Sequence, residues 1–508
     1  MGNRDIEAAR HYHNLTKHSY TNVRTSPHSL DWDNRPMPYK IYPGTGAVAL
    51  PRELNLSTMP TLKAISSEAP ADAQVAIDLD SLTRILFCAG GLTRSTSVGG
   101  DQYHFRAAAS AGALYPIEIY LASSDVDGLE AGLYHFSPAD LKLRGLRRGD
   151  WRATASEAAA NRKSLESARA IVFLSAIFWR STWKYRARAY RYCFWDAGTI
   201  LANLTAAATA EGVGCEVVTA FDDRALEALI GIDGEREGPV CMVALGNTGK
   251  TILASPKLDP LTFETIPLSK EEVVYPDLQA IHRESRLESA RDAAEIADVV
   301  IGADTKAPGV VDSRSFESLE LDECLGLGET IVRRGSTRTF AQSAIAAEEL
   351  AAILSASSRH PRADFPPLVE TYFIVNAVEG LEDGAYYFRR RGGQFDLLKR
   401  GSFRGEAGYL CLEQRLGYDC SALLVYMADL ECALGSLGNR GYRDAHLEAG
   451  IAGGRAYVAA YSLGLGATGL TFYDDDTTKF FEPHATGKSP LLMVAIGVPR
   501  SQTKLPNP

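Results

Sequence analysis

The sequence predicts two tandem copies of one mixed helix-and-strand domain, and two observations carry this. The first is a set of echoes at a fixed offset of 252 residues. Tyr190-Arg191 and Asp196-Ala197-Gly198 recur as Tyr442-Arg443 and Glu448-Ala449-Gly450. Gly212-Val213-Gly214 recurs as Gly464-Leu465-Gly466, and Phe221-Asp222-Asp223 as Tyr473-Asp474-Asp475. Gly132-Leu133-Tyr134-His135-Phe136 recurs as Gly384-Ala385-Tyr386-Tyr387-Phe388. A constant offset this long marks duplication of a whole domain, not a short solenoid repeat. The second is length: 508 residues exceed what one hydrophobic core organises.

The elements follow in order. Residues 1–60 are polar and turn-rich, with Pro36, Pro38, Pro43 and Pro51, and read as an extended arm. Its His11, His13 and His18 lack an accompanying acidic pattern, so no metal is expected there. Residues 61–250 form the first domain. Leu82–Leu86 reads as helix, and Ile117–Leu121 and Ala170–Leu174 as strands. Tyr192–Ala210 is a long helix, apolar nearly all round and therefore buried, stopped by Gly212. Pro239–Ala244 closes the domain as a strand. Residues 251–330 read as a connector. Within it, Ser269 caps a short helix starting at Glu271, residues 280–300 form a charged exposed helix, and Asp304–Ser315 form a loop. The second domain occupies 331–508, with its long helix over 444–463.

Composition excludes several classes. With 45% hydrophobic and 23% charged residues the chain is an ordinary globular protein. A net charge of −10 argues against general nucleic-acid binding. No run approaches the roughly 18 apolar residues of a spanning helix, and the first residues lack the apolar core of a secretory signal. The eight cysteines form no C-x-x-C pair, which suits free thiols in a reduced, cytoplasmic setting.

Two tempting motifs fail. Leu245-Gly246-Asn247-Thr248-Gly249-Lys250-Thr251 approaches a phosphate-binding loop, but Ala244 stands where the first glycine is required, and Pro256 precludes a long helix afterwards. Gly464-Leu465-Gly466-Ala467-Thr468-Gly469 matches G-x-G-x-x-G, yet helix precedes and strand follows it, the reverse of a dinucleotide fingerprint.

The chemistry lies in Arg333-Arg334-Gly335-Ser336-Thr337-Arg338, ahead of a helix over Ala346–Leu354. Guanidinium groups take a terminal phosphate bidentately, and a hydroxyl adds a further donor. Together with the later helix, Gly-Leu-Gly and strand, this string resembles the nitroreductase superfamily, whose members bind FMN. The first half contributes Ala109-Ser110-Ala111-Gly112-Ala113-Leu114-Tyr115-Pro116, and Lys184-Tyr185 ahead of Arg191-Tyr192 and Asp196-Ala197-Gly198. These resemble the SagB-type azoline-oxidase branch. The resemblance spans both halves. It implies an α+β fold, a mostly antiparallel sheet wrapped by helices, built twice and packed as an intrachain pseudo-dimer around the two long helices. It also implies a flavin at the interface, with the arginine arm and the Gly-Leu-Gly strand from one half and the Ser-x-Gly loop from the other.

Scored copy against copy, the halves have diverged in opposite places. Leu82–Leu86 matches Leu350–Leu354 at an offset of 268, so the second half lacks 16 residues before its next strand. Its counterpart of the Ser-Ala-Gly loop is Arg362-Ala363-Asp364-Phe365-Pro366-Pro367. The first-half counterpart of the arginine arm is Ile65-Ser66-Ser67-Glu68-Ala69-Pro70, whose carboxylate repels phosphate. Lys184-Tyr185 falls on Ser436-Leu437. One FMN per chain is therefore expected. Its phosphate is assigned to Arg333, Arg334, Ser336 and Arg338, with Arg500 and Lys504 as further candidates. Its ring edge is assigned to Gly469, Leu470 and Thr471, with Ser110, Ala111, Gly112 and Arg106 closing from the first domain and Gln414 supplying an amide. Lys184 and Tyr185 are the expected general base and partner, with Arg180, Arg186 and Arg188 lowering both pKa values. Three readings stay open: a dehydrogenase acting on a heterocycle in a small molecule or modified peptide, an NAD(P)H-driven nitro or quinone reductase, and a flavin binder without turnover.

Overall fold

The computed structural model describes residues 2–26, 28–71, 73–98, 101–250, 254–261, 263–301, 309–316 and 319–500. Two seven-stranded sheets share one topology. The first runs Ala47–Ala49, Lys142–Arg148, Gly132–Ser137, Ile117–Ser123, Ala170–Ile177, Glu237–Leu245 and Cys215–Val218. The second runs Asp312–Ser315, Gln394–Arg400, Gly384–Arg389, Val369–Val375, Ala422–Ala428, Ser489–Gly497 and Gly466–Leu470. Every adjacent pair in both is antiparallel. Helices wrap the sheets, so the fold is the expected α+β, twice. Ile117–Ser123, Ala170–Ile177 and Ala422–Ala428 are buried at every residue, which is why they read as continuous apolar runs rather than alternating ones.

The long helices Ala189–Ala210 and Arg440–Ser462 form the seam between the halves. They cross with almost no side chain between them. A Cβ on Gly198 would lie 2.5 Å from the Gly450 carbonyl carbon and the Ile451 nitrogen. A Cβ on Gly450 would lie 2.5 Å from the Trp195 carbonyl oxygen. Beyond this contact, each helix sends an arginine pair into the opposite half. Arg188 and Arg191 meet Asp474 at 3.0 and 2.9 Å, while Arg443 meets Asp223 at 3.1 Å alongside Arg440. Burial alone would raise the Asp474 pKa, but Arg188 and Arg191 outweigh it and hold the carboxyl below its usual range. The reciprocity is that of an isologous dimer interface realised within one chain.

The segments expected as arm and connector are instead counterparts. Glu7–Leu15 and Pro276–Glu284 are helices docked on the seam in equivalent ways. His13 Nδ1 lies 3.4 Å from the Tyr442 hydroxyl and His282 Nδ1 lies 3.3 Å from that of Tyr190. Arg191 bonds the His13 carbonyl and Thr16 Oγ1, and Arg443 bonds the His282 carbonyl and Ser285 Oγ. Ala47–Ala49 and Asp312–Ser315 then supply the outermost strand of each sheet. The expected exposed helix over 280–300 is two helices, Pro276–Glu284 and Ala290–Ile296, with Leu278, Ile281 and His282 buried. Glu271 starts no helix: Ser269 Oγ instead accepts from Trp179 Nε1 and donates to the Glu271 carbonyl. Part of the loop expected over Asp304–Ser315 is strand, and residues 302–308 lie outside the described set, as do Thr251 and Lys504. Among the described residues no helix is long and apolar enough to cross a membrane.

The seam gives a first prediction. Gly450→Ala should cost about 1–3 kcal/mol or more, because backbone rather than a flexible side chain stands in the way. Gly435→Ala, on an exposed helical site with nothing within 4 Å of the added carbon, should be neutral or stabilising by up to about 1 kcal/mol. Urea unfolding of the two variants measures the contrast.

Candidate functional site

The first-domain loop Ala107–Tyr115 is held in an improbable conformation. Gly112, Ala113 and Tyr115 have φ of 63°, 54° and 51°, and each non-glycine residue there costs about 1–3 kcal/mol. Asp196, on the long helix, supplies the restraint. It accepts from Ser110 Oγ at 2.5 Å and from the Ala111 amide at 3.0 Å, while Ser110 Oγ accepts from the Tyr115 amide at 2.9 Å. Thr199 Oγ1 donates to the Ala109 carbonyl and Asn203 to that of Ala107. Burial raises the Asp196 carboxyl pKa to about 7, although Ser110 and the Ala111 amide oppose the rise.

The arginine arm of the second domain reaches this loop directly. Arg334 is buried, and its Nε and Nη2 donate to the carbonyls of Ala107 and Arg106 at 3.0 and 2.7 Å. Its guanidinium therefore clamps the lead-in to the loop and is not held free for a phosphate, a role the sequence did not reveal. Arg333, half exposed, pairs with Glu329, and Arg338 is exposed. Two tyrosines one turn apart on the long helix seat the arm: Tyr457 lies 3.4 Å from Ser336 Oγ and Tyr461 lies 3.2 Å from Thr337 Oγ1. The Thr337 amide donates to the Ala467 carbonyl, which brings the arm alongside strand Gly466–Leu470.

That strand is the outer edge of its sheet, and the two copies treat the edge differently. Gly469 is exposed, and a Cβ there would meet nothing closer than the Tyr457 hydroxyl at 3.5 Å. Its counterpart Val217 is fully buried beneath the 362–364 segment. The Val217 amide donates to the Arg362 carbonyl, and the Val217 carbonyl accepts from the Asp364 amide. The Asp364 carboxylate accepts from the amides of Thr219 and Ala220, both at 2.9 Å. Glu68 completes this closure, accepting from the Arg362 amide and lying 3.4 and 3.7 Å from the Arg362 and Arg359 guanidiniums. One edge is exposed at Gly469 beside the arginine arm, its amide bonded to the Tyr457 hydroxyl, and the other is covered by the 362–364 segment.

Lys184 and Tyr185 end the helix Phe178–Tyr185 against the loop. A Cβ on Gly112 would stand 2.8 Å from the Tyr185 hydroxyl and 3.2 Å from Lys184 Nζ, so the pair lies close against the loop. Tyr185 stacks on Tyr192 at 4.3 Å, and the Tyr192 hydroxyl lies 3.4 Å from Thr471 Oγ1. Burial lowers the Lys184 pKa, aided by Arg338 and Arg35. Tyr185 moves the other way: burial, Tyr192 and Asp196 push its phenol up, so a phenolate is disfavoured. The expected neighbours act elsewhere. Arg180 is buried on Glu118 and the Tyr115 and Met37 carbonyls, Arg186 bonds Ser26, and Arg188 bonds Asp474.

Other assigned residues have defined positions. Arg106 is buried on the Pro38 and Ile117 carbonyls beneath Tyr39 and Tyr115, where it supports the loop and borders the small cavity beside Ser110 and Asp196. Gln414 returns its amide to the Cys411 carbonyl within its own turn. Arg500 is exposed, and its backbone amide bonds the Thr339 carbonyl at the end of the arm. The sequence reading missed the roles of Asp196, Tyr192, Tyr457 and His18, whose Nδ1 lies 3.2 Å from Thr471 Oγ1. Asp196 was visible as the partner of Glu448 in the echo, and Glu448 anchors the Leu368 and Val369 amides in the same manner.

Both copies match known proteins. The profile described as Nitroreductase family matches residues 70–247 and 331–498, both copies. A Methanocaldococcus jannaschii protein bearing a nitroreductase name is 29% identical over 170 residues, 34% of this chain and 81% of that protein. A crystal structure from Anabaena variabilis, also of a protein named as a nitroreductase, superposes with a TM-score of 0.79 at 28% identity, covering 97% of this chain and 99% of that one.

The Asp196 anchor gives a pH signature. A carboxyl whose folded pKa is raised to about 7 contributes stability that is fully present below the unfolded value near ~3.9 and is lost as pH rises through about 7. Asp196→Asn should therefore show a shallower fall in stability between about pH 4 and 7 than the parent, by an amount on the order of a few kcal/mol. Denaturant midpoints across that range, variant against parent, measure it.

Proposed function

We propose that this chain, which belongs to the nitroreductase family of oxidoreductases, holds one FMN and dehydrogenates a heterocycle of the azoline class. The observation that carries the single flavin is the contrast between the two edges. Exposed Gly469 is joined to the arginine arm through Tyr457, which meets both its amide and Ser336, while Val217 is covered by Arg362–Asp364. The residues fit the group in charge and in space. Arg333, Ser336 and Arg338 suit the phosphate, the backbone of Gly469, Leu470 and Thr471 offers a flat seat, and Gly112 leaves no Cβ where the loop closes. Arg334 acts on the phosphate side only through the loop it clamps.

The flavin, when bound, accepts a hydride from carbon. The protein's part is to remove the accompanying proton, and Lys184 is the group for it. Its amine stands at the loop, and burial with Arg338 and Arg35 nearby enlarges its neutral fraction. Tyr185, neutral and stacked on Tyr192, positions the pair and can donate a hydrogen bond. Loss of that proton and of a hydride would turn an azoline into an azole, with molecular oxygen as final acceptor of the two electrons and two protons, giving hydrogen peroxide. The names carried by the relatives favour a second reading, reduction of nitro or quinone compounds with electrons from NAD(P)H.

Two measurements test these assignments. Denatured protein should release one FMN per chain; release of two, or of none, removes the single-site reading. Lys184→Met should keep its flavin and lose about 10²-fold or more in turnover of a model thiazoline. Full turnover in that variant removes Lys184 as base, and rapid NADPH oxidation with no thiazoline turnover selects the reductase.

A further inference from the structure

Arg333 pairs with Glu329, whereas Arg35 has no such partner. It is half-buried, makes no ion pair among the described residues, and lies close enough to Lys184 to depress its pKa. Aromatic rings hold it there: its guanidinium is 5.2 Å from the Tyr103 ring and 5.9 Å from that of Trp32.

This seat is fixed to the site. Trp32 packs edge-on against Trp183 at 5.2 Å, and Trp183 Nε1 donates to the Asp31 carbonyl at 2.8 Å. Trp183 immediately precedes Lys184. Tyr103 belongs to the hairpin Leu92–Val98 and Asp101–Arg106 that leads into the serine loop. Trp32 is 62% exposed, a large apolar surface left open beside an unpaired guanidinium. A flat ring with an attached oxyanion complements both features, since a guanidinium grips carboxylate bidentately while aromatic faces cover the ring.

We propose that the substrate is a free heterocyclic carboxylic acid, its carboxylate on Arg35 and its ring directed toward Lys184. This rests on the dehydrogenase reading and narrows it. An azoline inside a peptide chain presents a neutral amide at that position and forgoes the charge-assisted contact. Lys184 stays predominantly shaped by burial, the largest influence on it, so a carboxylate on Arg35 does not cancel its role.

The test uses purified, flavin-loaded protein and two inert product-like probes, 2-phenylthiazole-4-carboxylate and its carboxamide. Binding is read by quenching of tryptophan fluorescence and by shifts of the flavin band. The carboxylate should bind at least about 10-fold more tightly, Arg35→Gln should abolish that preference, and Arg35→Lys should retain part of it. In the parent protein the preference should shrink as salt is raised, because the contact is charge-assisted. Equal binding of the two probes, a preference untouched by Arg35→Gln, or a preference indifferent to salt would each overturn the proposal. A protein that carries no flavin fails the preceding reading instead, and the same probes still report on Arg35 through fluorescence.

Discussion

The contact of Gly198 with Gly450 sets the distance between the two halves, and everything functional lies along the seam it creates. Helices that touch backbone to backbone leave no room for side chains between them, so their flanking residues must reach past the crossing. Arg188 and Arg191 reach Asp474, and Arg440 and Arg443 reach Asp223. Such buried charges are expensive unless fully paired. Their value is positional: each aspartate also bonds a backbone amide from an N-terminal segment, His18 in one copy and Leu287 in the other. The crossing therefore fixes the arm, the loop and both docked segments to one frame.

On that frame the copies diverged by filling or leaving an edge. An unpaired strand edge is a row of unsatisfied donors and acceptors that must be covered, paired or used. In the first copy the 362–364 segment pairs with it, and Asp364 caps the amides that follow. Burial raises the Asp364 pKa against those amide bonds, so the closure carries an electrostatic cost of its own. In the second copy no strand among the described residues covers the edge: the Gly469 amide donates to the Tyr457 hydroxyl, the Ala467 carbonyl accepts from the Thr337 amide, and Gly469 stays exposed. The second half is 16 residues shorter between its helix Ala347–Ser357 and strand Val369–Val375, and the segment that joins them lies across the first copy's edge.

Much of this was legible. The 252-residue echo marked the duplication, and the family resemblance implied the pseudo-dimer and showed where loop and arm differ between the copies. What escaped reading depends on tertiary contact. Glu7–Leu15 carries too few apolar residues to read as a buried helix; it forms because Ala9, Tyr12 and His13 dock on Tyr190 and Tyr442. Asp312–Ser315 is polar throughout and becomes a strand only by pairing with Gln394–Leu397. Yet His13-x-x-Thr16 and His282-x-x-Ser285 repeat at an offset of 269, a signal too short to notice without knowing that both face an equivalent tyrosine. Arginines misled for a different reason. Sequence cannot tell a guanidinium offered to a ligand from one spent on carbonyls, and Arg106 and Arg334 are of the second kind.

The asymmetry begins upstream of the site itself. Both copies begin with a docked helix and bond equivalent aspartates, Asp474 and Asp223, and they part at the side chain of that bonded residue. His18 turns to Thr471 at the open edge, while Leu287 packs with Ala220, Ala293 and Leu437 beside the closed one. From there the first segment runs under Trp183 and delivers Trp32 and Arg35 to the mouth of the open site. A homodimer would have to present such a segment to both sites alike. Fusion removes that constraint, since residues 18–35 occur once and each site borders a different segment. One edge could then close into a structural contact while the other acquired a cationic, aromatic rim, without either change imposing itself on its twin.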